Sequence, residues 1–402
     1  MEDTTNDIRE NATVTPKRYA VAYYDDSNVS GQWIYYTEDD LASDTITFEA
    51  GQSYAISRGS DGSLTFTGTL ETNDISTAVV AGEWNAIGNP YAALLPVNGN
   101  SDNNFIMDNI NNLDSSFSGI YTWDSSQNKY VGYSLISDDF LLNAGEGFFA
   151  LPATSTSNID FGEDLRQGED SSQFSRSSSD KVSINLIASS TNTSVKTAIN
   201  FLDTASKGLD QGYDLGNFGG AEFDIYTKIA DGSTDVDYTI QSLGTNDIYS
   251  LKLSVGIIAI KGTEITITMD SENIPSGIEV YLLDASESIL ANLSEGDYTF
   301  TAKEDLSGAG NLFVQTSAKS LSNTEIESGD DINVYQSANK EITIAGITET
   351  YELNVYTLDG KVVLSTEVST ANNVVATNLS TGVYIVQLNK DGKIYNQKIV
   401  LE

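Results

Sequence analysis

Apolar and polar residues alternate along most of the chain in short runs. A period of two places successive side chains on opposite faces of a strand, and runs rich in Val, Ile, Thr, Tyr and Phe favour strands over helices. Clusters of Gly, Asn, Asp and Ser separate the runs and predict turns. The pattern therefore predicts an all-β protein made of tandem antiparallel β-sandwich domains. Clear alternating runs occur at residues 18–24, 45–48, 63–67, 264–269 and 382–388.

One segment departs from this period. Residues 105–113 carry apolar side chains spaced for one face of a short helix, and Ser101 or Asp102 could provide its N-cap. We expect a helix that covers a core, and we assign no chemistry to it.

Two polar, Ser-rich stretches divide the chain. Residues 163–180 and 317–331 contain few apolar side chains, as expected where few contacts cross between domains. A chain of 402 residues is also too long for one hydrophobic core. We therefore predict three domains, at residues 1–165, 175–320 and 329–402.

The chain is strongly acidic. It contains 58 Asp and Glu against 20 Lys and Arg, which gives a formal net charge of −38. Such a surface repels a nucleic-acid backbone and an anionic membrane, so we expect no nucleic-acid partner. No run approaches the roughly 18 apolar residues of a membrane span, so we also expect no membrane insertion. A solvated acidic surface is the simplest interpretation of the charge.

The chain has no Cys and no His. This composition excludes disulfides, thiolate or imidazole zinc sites, and Ser-His-Asp or Cys-His catalysis. Carboxylates, Tyr, Lys and Ser remain, and a glycosidase would need two facing carboxylates. No such pair stands out among the acids, so we expect that the chain is not an enzyme.

Calcium is the one cofactor that the acids suggest. A loop carries Asp231, Asp235 and Asp237, and Asp210 and Asp214 form a second candidate group. Calcium takes oxygen ligands of this kind, but neither group has the full spacing of an EF-hand loop. Solvated turns are the simpler interpretation of both groups.

Three aromatic residues, Trp84, Tyr121 and Trp123, could form a platform for a sugar ring. Aromatic side chains bury large areas, and in a β-sandwich they belong more often to the core. We favour the core interpretation.

The C-terminal segment has strong hairpin signals. Asp359-Gly360 and Asp391-Gly392 each stand between alternating runs, and both residue types tolerate the turn conformations that short hairpins need. Roughly seven strands fit into residues 329–402, which predicts a small immunoglobulin-like sandwich.

Residues 329–402 resemble the type A sorting domain of the type IX secretion system. Residues 355–363, 379–388 and 396–400 carry the likeness, whereas Gln336 to Asn339 replace the Pro-Asn-Pro-like element that often follows the first strand. The resemblance implies a Bacteroidota source, export by the type IX outer-membrane machinery, and a secreted or cell-surface location. It implies a sorting signal at Gly360, Lys361, Leu379, Gly382, Tyr384, Val386, Leu388 and Lys398. The alternation of residues 384, 386 and 388 also predicts core positions.

The two upstream domains resemble modules of secreted flavobacterial proteins. Residues 83–91, 120–124 and 143–150 carry the likeness in the first domain, and residues 181–316 resemble a companion domain. Neither likeness implies a catalytic role. The start of the chain lacks the basic and apolar segments of a signal peptide. Because the resemblance implies export, we expect such a peptide, and further domains, upstream of Met1.

Two functions fit these observations. The first is a secreted or cell-surface non-catalytic protein, adhesin-like, whose C-terminal domain directs export. The second is the accessory C-terminal region of a larger secreted hydrolase or carbohydrate-binding protein. The partners expected are the type IX outer-membrane machinery and a polysaccharide or another cell-surface ligand.

Overall fold

The computed structural model describes residues 7–28, 32–43, 47–99, 103–168, 181–318, 332–338, 340–357, 360–390 and 393–401. Strands make up most of its regular structure, which confirms the all-β prediction. The chain divides into two compact units, Met1–Ala318 and Lys319–Glu402. No helix in the described ranges is long and apolar enough to cross a membrane.

The first part of unit one forms several small sheets, most of which share one core. β2 pairs with β1, β3 and β4, and a second sheet has the order β6-β11-β8-β9. The strands are β1 (Glu10–Asn11), β2 (Arg18–Tyr24), β3 (Trp33–Thr37), β4 (Tyr54–Ile56), β5 (Ile75–Ala78), β6 (Asn85–Gly88), β7 (Leu95–Pro96), β8 (Ile120–Asp124), β9 (Lys129–Tyr133), β10 (Leu141–Leu142), β11 (Gly147–Ala150) and β12 (Asn158–Phe161).

Two short helices interrupt these strands, α1 (Glu38–Ala42) and α2 (Phe105–Asp108). The predicted helix is therefore present only in part, because α2 ends at Asp108, before residues 109–113; Phe105 and Ile106 are fully buried in the core of this part. Its N-cap is Asn104, whose side chain accepts a hydrogen bond from the Met107 N–H at 3.0 Å. The expected caps, Ser101 and Asp102, lie outside the described residues. A short 3-10 turn, Glu163–Leu165, follows β12.

The second part of unit one is a single hydrogen-bonded sheet, of order β21-β20-β23-β18-β16-β17-β14-β13-β19-β22, with β15 beside β17. Its strands are β13 (Val182–Ser189), β14 (Ser194–Leu202), β15 (Leu215–Gly216), β16 (Asp224–Lys228), β17 (Asp237–Gly244), β18 (Lys252–Ala259), β19 (Glu264–Glu272), β20 (Ile278–Asp284), β21 (Ile289–Asn292), β22 (Tyr298–Thr301) and β23 (Leu306–Ala318). Strands distant in this order, such as β19 and β20, contribute to one core, so the sheet curves around it.

One strand pair departs from the antiparallel prediction. β14 and β17 run parallel, with Ala198 beside Ile240 and Phe201 beside Leu243. Parallel pairing needs a long crossover, because the second strand must begin at the same end of the sheet as the first. Residues 203–236 provide it, and they pass through β15 and β16 before β17 begins.

The two predicted upstream domains share a third cluster. Each part has its own core, and a further cluster joins Tyr121 and Phe149 of the first part to Leu215, Phe218 and Ile240 of the second. The structure thus groups the described residues of both predicted domains, as far as Ala318, into one compact unit, and the division into domains at residues 1–165 and 175–320 stays a prediction.

Unit two is a small antiparallel sandwich. A three-stranded sheet, β24-β25-β28, and a four-stranded sheet, β27-β26-β29-β30, enclose one core, as the sequence predicted. The strands are β24 (Asn333–Ala338), β25 (Glu341–Ala345), β26 (Tyr351–Thr357), β27 (Val362–Val368), β28 (Val374–Ala376), β29 (Gly382–Lys390) and β30 (Lys393–Leu401).

Candidate functional site

Three of the predicted sorting residues belong to the core of unit two. Tyr384, Val386 and Leu388 alternate along β29, which lies between β26 and β30, and all three side chains are buried. This confirms the core positions that the alternation predicted. Leu379 precedes the strand and packs, half-buried, against the same core.

Tyr384 also makes a hydrogen bond to the backbone just before β29. Its hydroxyl donates a hydrogen bond to the Ser380 carbonyl oxygen at 2.8 Å. A tyrosine near the start of a strand that bonds to backbone a few residues upstream is the tyrosine corner of immunoglobulin-like sandwiches. Gly382 lies within this corner, where a Cβ atom would come no closer than 3.6 Å to the Tyr384 ring. Its neighbours therefore leave room for a side chain.

Gly360 forms the turn between β26 and β27. Its φ is +81°, a left-handed conformation that favours glycine, and apart from its two chain neighbours no atom of the described residues lies within 4 Å of the Cβ position. Its N–H donates to the Thr357 carbonyl at 2.9 Å, and the Thr357 N–H donates to the Lys361 carbonyl at 3.0 Å. The backbone conformation of the turn therefore requires glycine at this position, and steric contact with another residue does not.

The two predicted lysines are exposed. Lys361 adjoins β27 and Lys398 lies on β30, the two edge strands of the four-stranded sheet. Lys398 is beside Ile385, which is beside Tyr356, so these side chains form one row on the outer face. The predicted sorting residues thus divide into core, turn and exposed groups.

Two of the three aspartates in the first calcium candidate contact a lysine. The Lys228 ammonium lies 2.8 Å from an Asp237 oxygen and 3.1 Å from an Asp235 oxygen. Partial burial lowers the pKa of Lys228, but its hydrogen bonds to Asp237 and Asp235 outweigh that effect and raise the pKa overall. Asp231 lies apart from this contact, and its Oδ1 accepts the Ser233 N–H at 2.8 Å.

The second calcium candidate is held by backbone donors. Asp214 is fully buried, and its two oxygens accept the Asp210 N–H at 2.7 Å and the Ser242 N–H at 2.6 Å. Burial raises the pKa of Asp214 to about 7. Within the described ranges no three acidic side chains gather as a metal site would require. Calcium binding stays a prediction, to be tested by whether calcium raises the melting temperature more than sodium chloride of equal ionic strength.

The three aromatic candidates do not form a common platform. Tyr121 is fully buried and donates its hydroxyl to the Gly216 carbonyl at 2.7 Å, which confirms the core interpretation for this residue. Trp84 packs, half-buried, against Phe218 with ring centroids 4.4 Å apart. Trp123 is 52% exposed.

A buried ion pair crosses between the two parts of unit one. The Lys129 ammonium contacts the Asp224 carboxylate, and both side chains are almost completely buried. Asp224 also accepts hydrogen bonds from Asn217 Nδ2 at 2.8 Å and from the Ile225 N–H at 2.9 Å. The sequence shows no signal for this pair, because its two members are far apart along the chain.

A cleft of about 410 Å³ adjoins this pair and is lined by both parts of unit one. β9 provides Lys129 and Tyr133, and β14 and β19 provide Asn200 and Glu272. This volume lies within the usual range of small-molecule sites. The sequence did not predict the cleft, since its walls come from strands that only the fold brings together.

Comparison with known families divides the chain as the structure does. A family model described as a domain of unknown function (DUF8693) matches residues 5–308. A second, described as a secretion system C-terminal sorting domain, matches residues 337–402 and confirms the resemblance of the last domain. No curated protein matches the chain.

Proposed function

The chain belongs to the family described as a domain of unknown function (DUF8693) and ends in a secretion-system sorting domain, and on this premise we propose an exported, non-catalytic, adhesin-like protein. The sorting domain indicates export through the type IX system, to the medium or to the cell surface. The proposal adds that unit one acts there by binding and not by chemistry.

One observation carries the export part. The sorting-domain match, residues 337–402, covers most of the small sandwich of unit two, and that sandwich has its own core. It therefore has what an independently folded export signal requires.

Composition and packing support the non-catalytic part. Without His or Cys, the chain must use carboxylates, Lys, Tyr or Ser for any acid–base or nucleophilic step. Asp214 has a pKa near neutrality, but its oxygens are occupied by backbone N–H groups inside the fold. Lys129 is engaged by Asp224.

A reporter fusion tests the export part. A signal peptide, a fluorescent protein and residues 317–402 should reach the surface or medium of a host with a working type IX system. A matched fusion that ends before β29 should remain in the periplasm, because it lacks half of the four-stranded sheet. Periplasmic retention of the complete fusion, with the reporter folded, would contradict the proposal.

Charge reversal on the outer face tests the sorting signal. Lys398→Glu should reduce export of the fusion at least severalfold and leave the melting temperature unchanged, because exposed substitutions alter stability little. Asn396→Glu, two residues away on the same exposed face, is the matched control. Equal export of both variants would remove Lys398 from the signal.

Binding and catalysis are tested separately on the whole chain. Cells that display it should adhere to polysaccharide-coated or cell-coated surfaces better than cells without it, and the purified chain should hydrolyse no glycoside or peptide substrate. Hydrolysis that disappears on substitution of one carboxylate would overturn the non-catalytic part.

A further inference from the structure

A row of polar side chains borders the cleft between the two parts of unit one, and the two ends of this row, Asn200 and Glu272, line the cleft. Asn200, Ser183 and Glu272 are direct neighbours across β14, β13 and β19, so their side chains share one face of the sheet. The opposite face at this level belongs to the core, where Ile184 is fully buried. A second row, Ala198 and Asp270 on either side of Asn185, continues the polar face.

The first row carries buried polar atoms without partners. Asn200 is 2% exposed and Ser183 is 1% exposed. Asn200 Oδ1, Ser183 Oγ and Glu272 Oε2 are buried and have no hydrogen-bond partner among the residues that the structure describes. An unpaired buried polar group destabilises the fold, and nearly all such groups in native proteins are paired. Asn200 and Glu272 line the cleft, and a rotation of either side chain would bring its buried oxygen within reach of a ligand there.

The charges around the cleft indicate the class of ligand. The carboxylates of Asp270 and Glu272 repel an anionic ligand. The ammonium groups of Lys181 and Lys196, in the same lining, repel a small cation. Lys181 is also in contact with Asp138, at 3.4 Å. The lining therefore mixes donors and acceptors without a strong excess of either charge.

Hydroxyl groups match such a lining, because each one can donate and accept a hydrogen bond at once. Oxygens of Asn200 and Glu272 can accept from a ligand hydroxyl, and the Asn185 amide and the Lys196 ammonium can donate to one. Tyr133 adds an aromatic ring to the lining, held by stacking on Phe140 with centroids 4.0 Å apart. A polar rim with one aromatic wall suits a sugar ring better than a flexible polar chain.

We propose that this cleft binds a neutral saccharide, with Asn200 and Glu272 as hydroxyl acceptors. The inference deepens the proposed binding function and rests on it for the setting in which the saccharide is met. The cleft itself belongs to unit one and needs no part of the sorting domain.

Calorimetric titration of the full chain tests the proposal. The probes are glucose, galactose, mannose and xylose, together with cellotriose, laminaritriose and mannotriose, and we expect at least one to bind. Glu272→Gln keeps the side-chain shape but replaces an acceptor, so it should weaken binding by about tenfold or more. Glu264→Gln, at the exposed far end of the same strand, should not change the affinity.

Asn200→Ala provides a second variant, which should also weaken binding about tenfold while the melting temperature shows whether the fold persists. Three results would overturn the proposal: no binding of any probe at millimolar concentration, unchanged affinity in Glu272→Gln, or binding of butylamine or calcium in place of the saccharides. The reporter fusion lacks the cleft, so failure here leaves the export result intact, and failed export leaves the saccharide titration intact.

Discussion

Asp214 is a single residue that makes the stability of unit one depend on pH. Its pKa rises from an ordinary value of 3.8 to about 7, because the carboxyl is buried. Between about pH 4 and pH 7 the unfolded chain has released this proton and the folded chain still holds it. The free energy of unfolding should therefore fall as pH rises through this window, and the contribution should become constant above about pH 7.

Asp214→Asn should flatten this dependence. At low pH the variant should melt at a lower temperature than wild type, because it has lost one hydrogen-bond acceptor. As pH rises from about 4 to 7, the melting temperature of wild type should fall relative to that of the variant. Asp297→Asn, an exposed substitution in the same unit, should keep the slope of the wild type. If the melting temperatures of Asp214→Asn and wild type depend on pH in the same way, the pKa of the Asp214 carboxyl is not raised by folding.

Gly132 allows a side chain from the other part of unit one to approach closely. A Cβ at this position would lie 2.6 Å from Leu215 Cδ2 and 3.0 Å from the Tyr121 ring, and Leu215 and Tyr121 are fully buried. Overpacking of this kind destabilises a core by about 1–3 kcal/mol. We expect that loss for Gly132→Ala in denaturant titrations. Gly296→Ala should change stability little, because no atom of the described residues other than its two chain neighbours lies within 4 Å of its Cβ, and equal results for both variants would contradict the close approach.

At the scale of elements, the β26–β27 hairpin depends on a left-handed glycine. A non-glycine residue in this conformation is destabilised by roughly 1–2 kcal/mol, so Gly360→Ala should lower the free energy of unfolding of unit two by about that amount. Gly382→Ala is the comparison, because its Cβ would make only ordinary contacts. Denaturant unfolding of the two variants checks the difference, and a larger loss for Gly382→Ala would contradict this account of the turn.

Variants of the same two glycines distinguish a role in folding from a role in sorting. A Gly382→Ala variant that folds normally but exports poorly would place Gly382 in the recognition surface. If Gly360→Ala loses export only in proportion to its lost stability, Gly360 acts through the fold. The reporter fusion and the denaturant titration together decide between these roles for each residue.

At the scale of the molecule, Phe218 joins the two parts of unit one. Its ring contacts Trp84, Tyr121, Tyr130 and Phe149, with centroids 4.4 to 5.5 Å apart. Because these contacts cross between two separate cores, we expect the two cores to unfold together. Phe218→Ala should remove at most about 3–5 kcal/mol, since the ring is only half-buried.

Calorimetry of the whole chain can resolve this coupling. We expect two transitions for wild type, one for each compact unit, and a third for Phe218→Ala as the cores of unit one separate. Phe66→Ala is the control, because that ring is 58% exposed and lies outside the shared cluster. Three transitions in the wild type would support independent upstream domains, and two in Phe218→Ala would contradict the coupling.

Features that depend only on nearby residues were predictable from the sequence. A period of two identified the strands of the last domain and the buried face of β29, because side-chain direction alternates whatever the partner strand is. Composition alone excluded histidine and cysteine chemistry, because a residue type that the chain lacks can provide no ligand or nucleophile in any fold. The Asp359-Gly360 pair predicted a hairpin, and Gly360 has the positive φ that such a turn uses.

Contacts between residues that are distant along the chain became visible only in the folded protein. Lys129 contacts Asp224, Leu215 packs on Gly132, and the polar row in the cleft comes from three strands. The parallel pairing of β14 with β17 likewise depends on the path of a long crossover. Local patterns cannot encode these contacts, because side-chain alternation states which face a residue occupies and not which strand lies beside it.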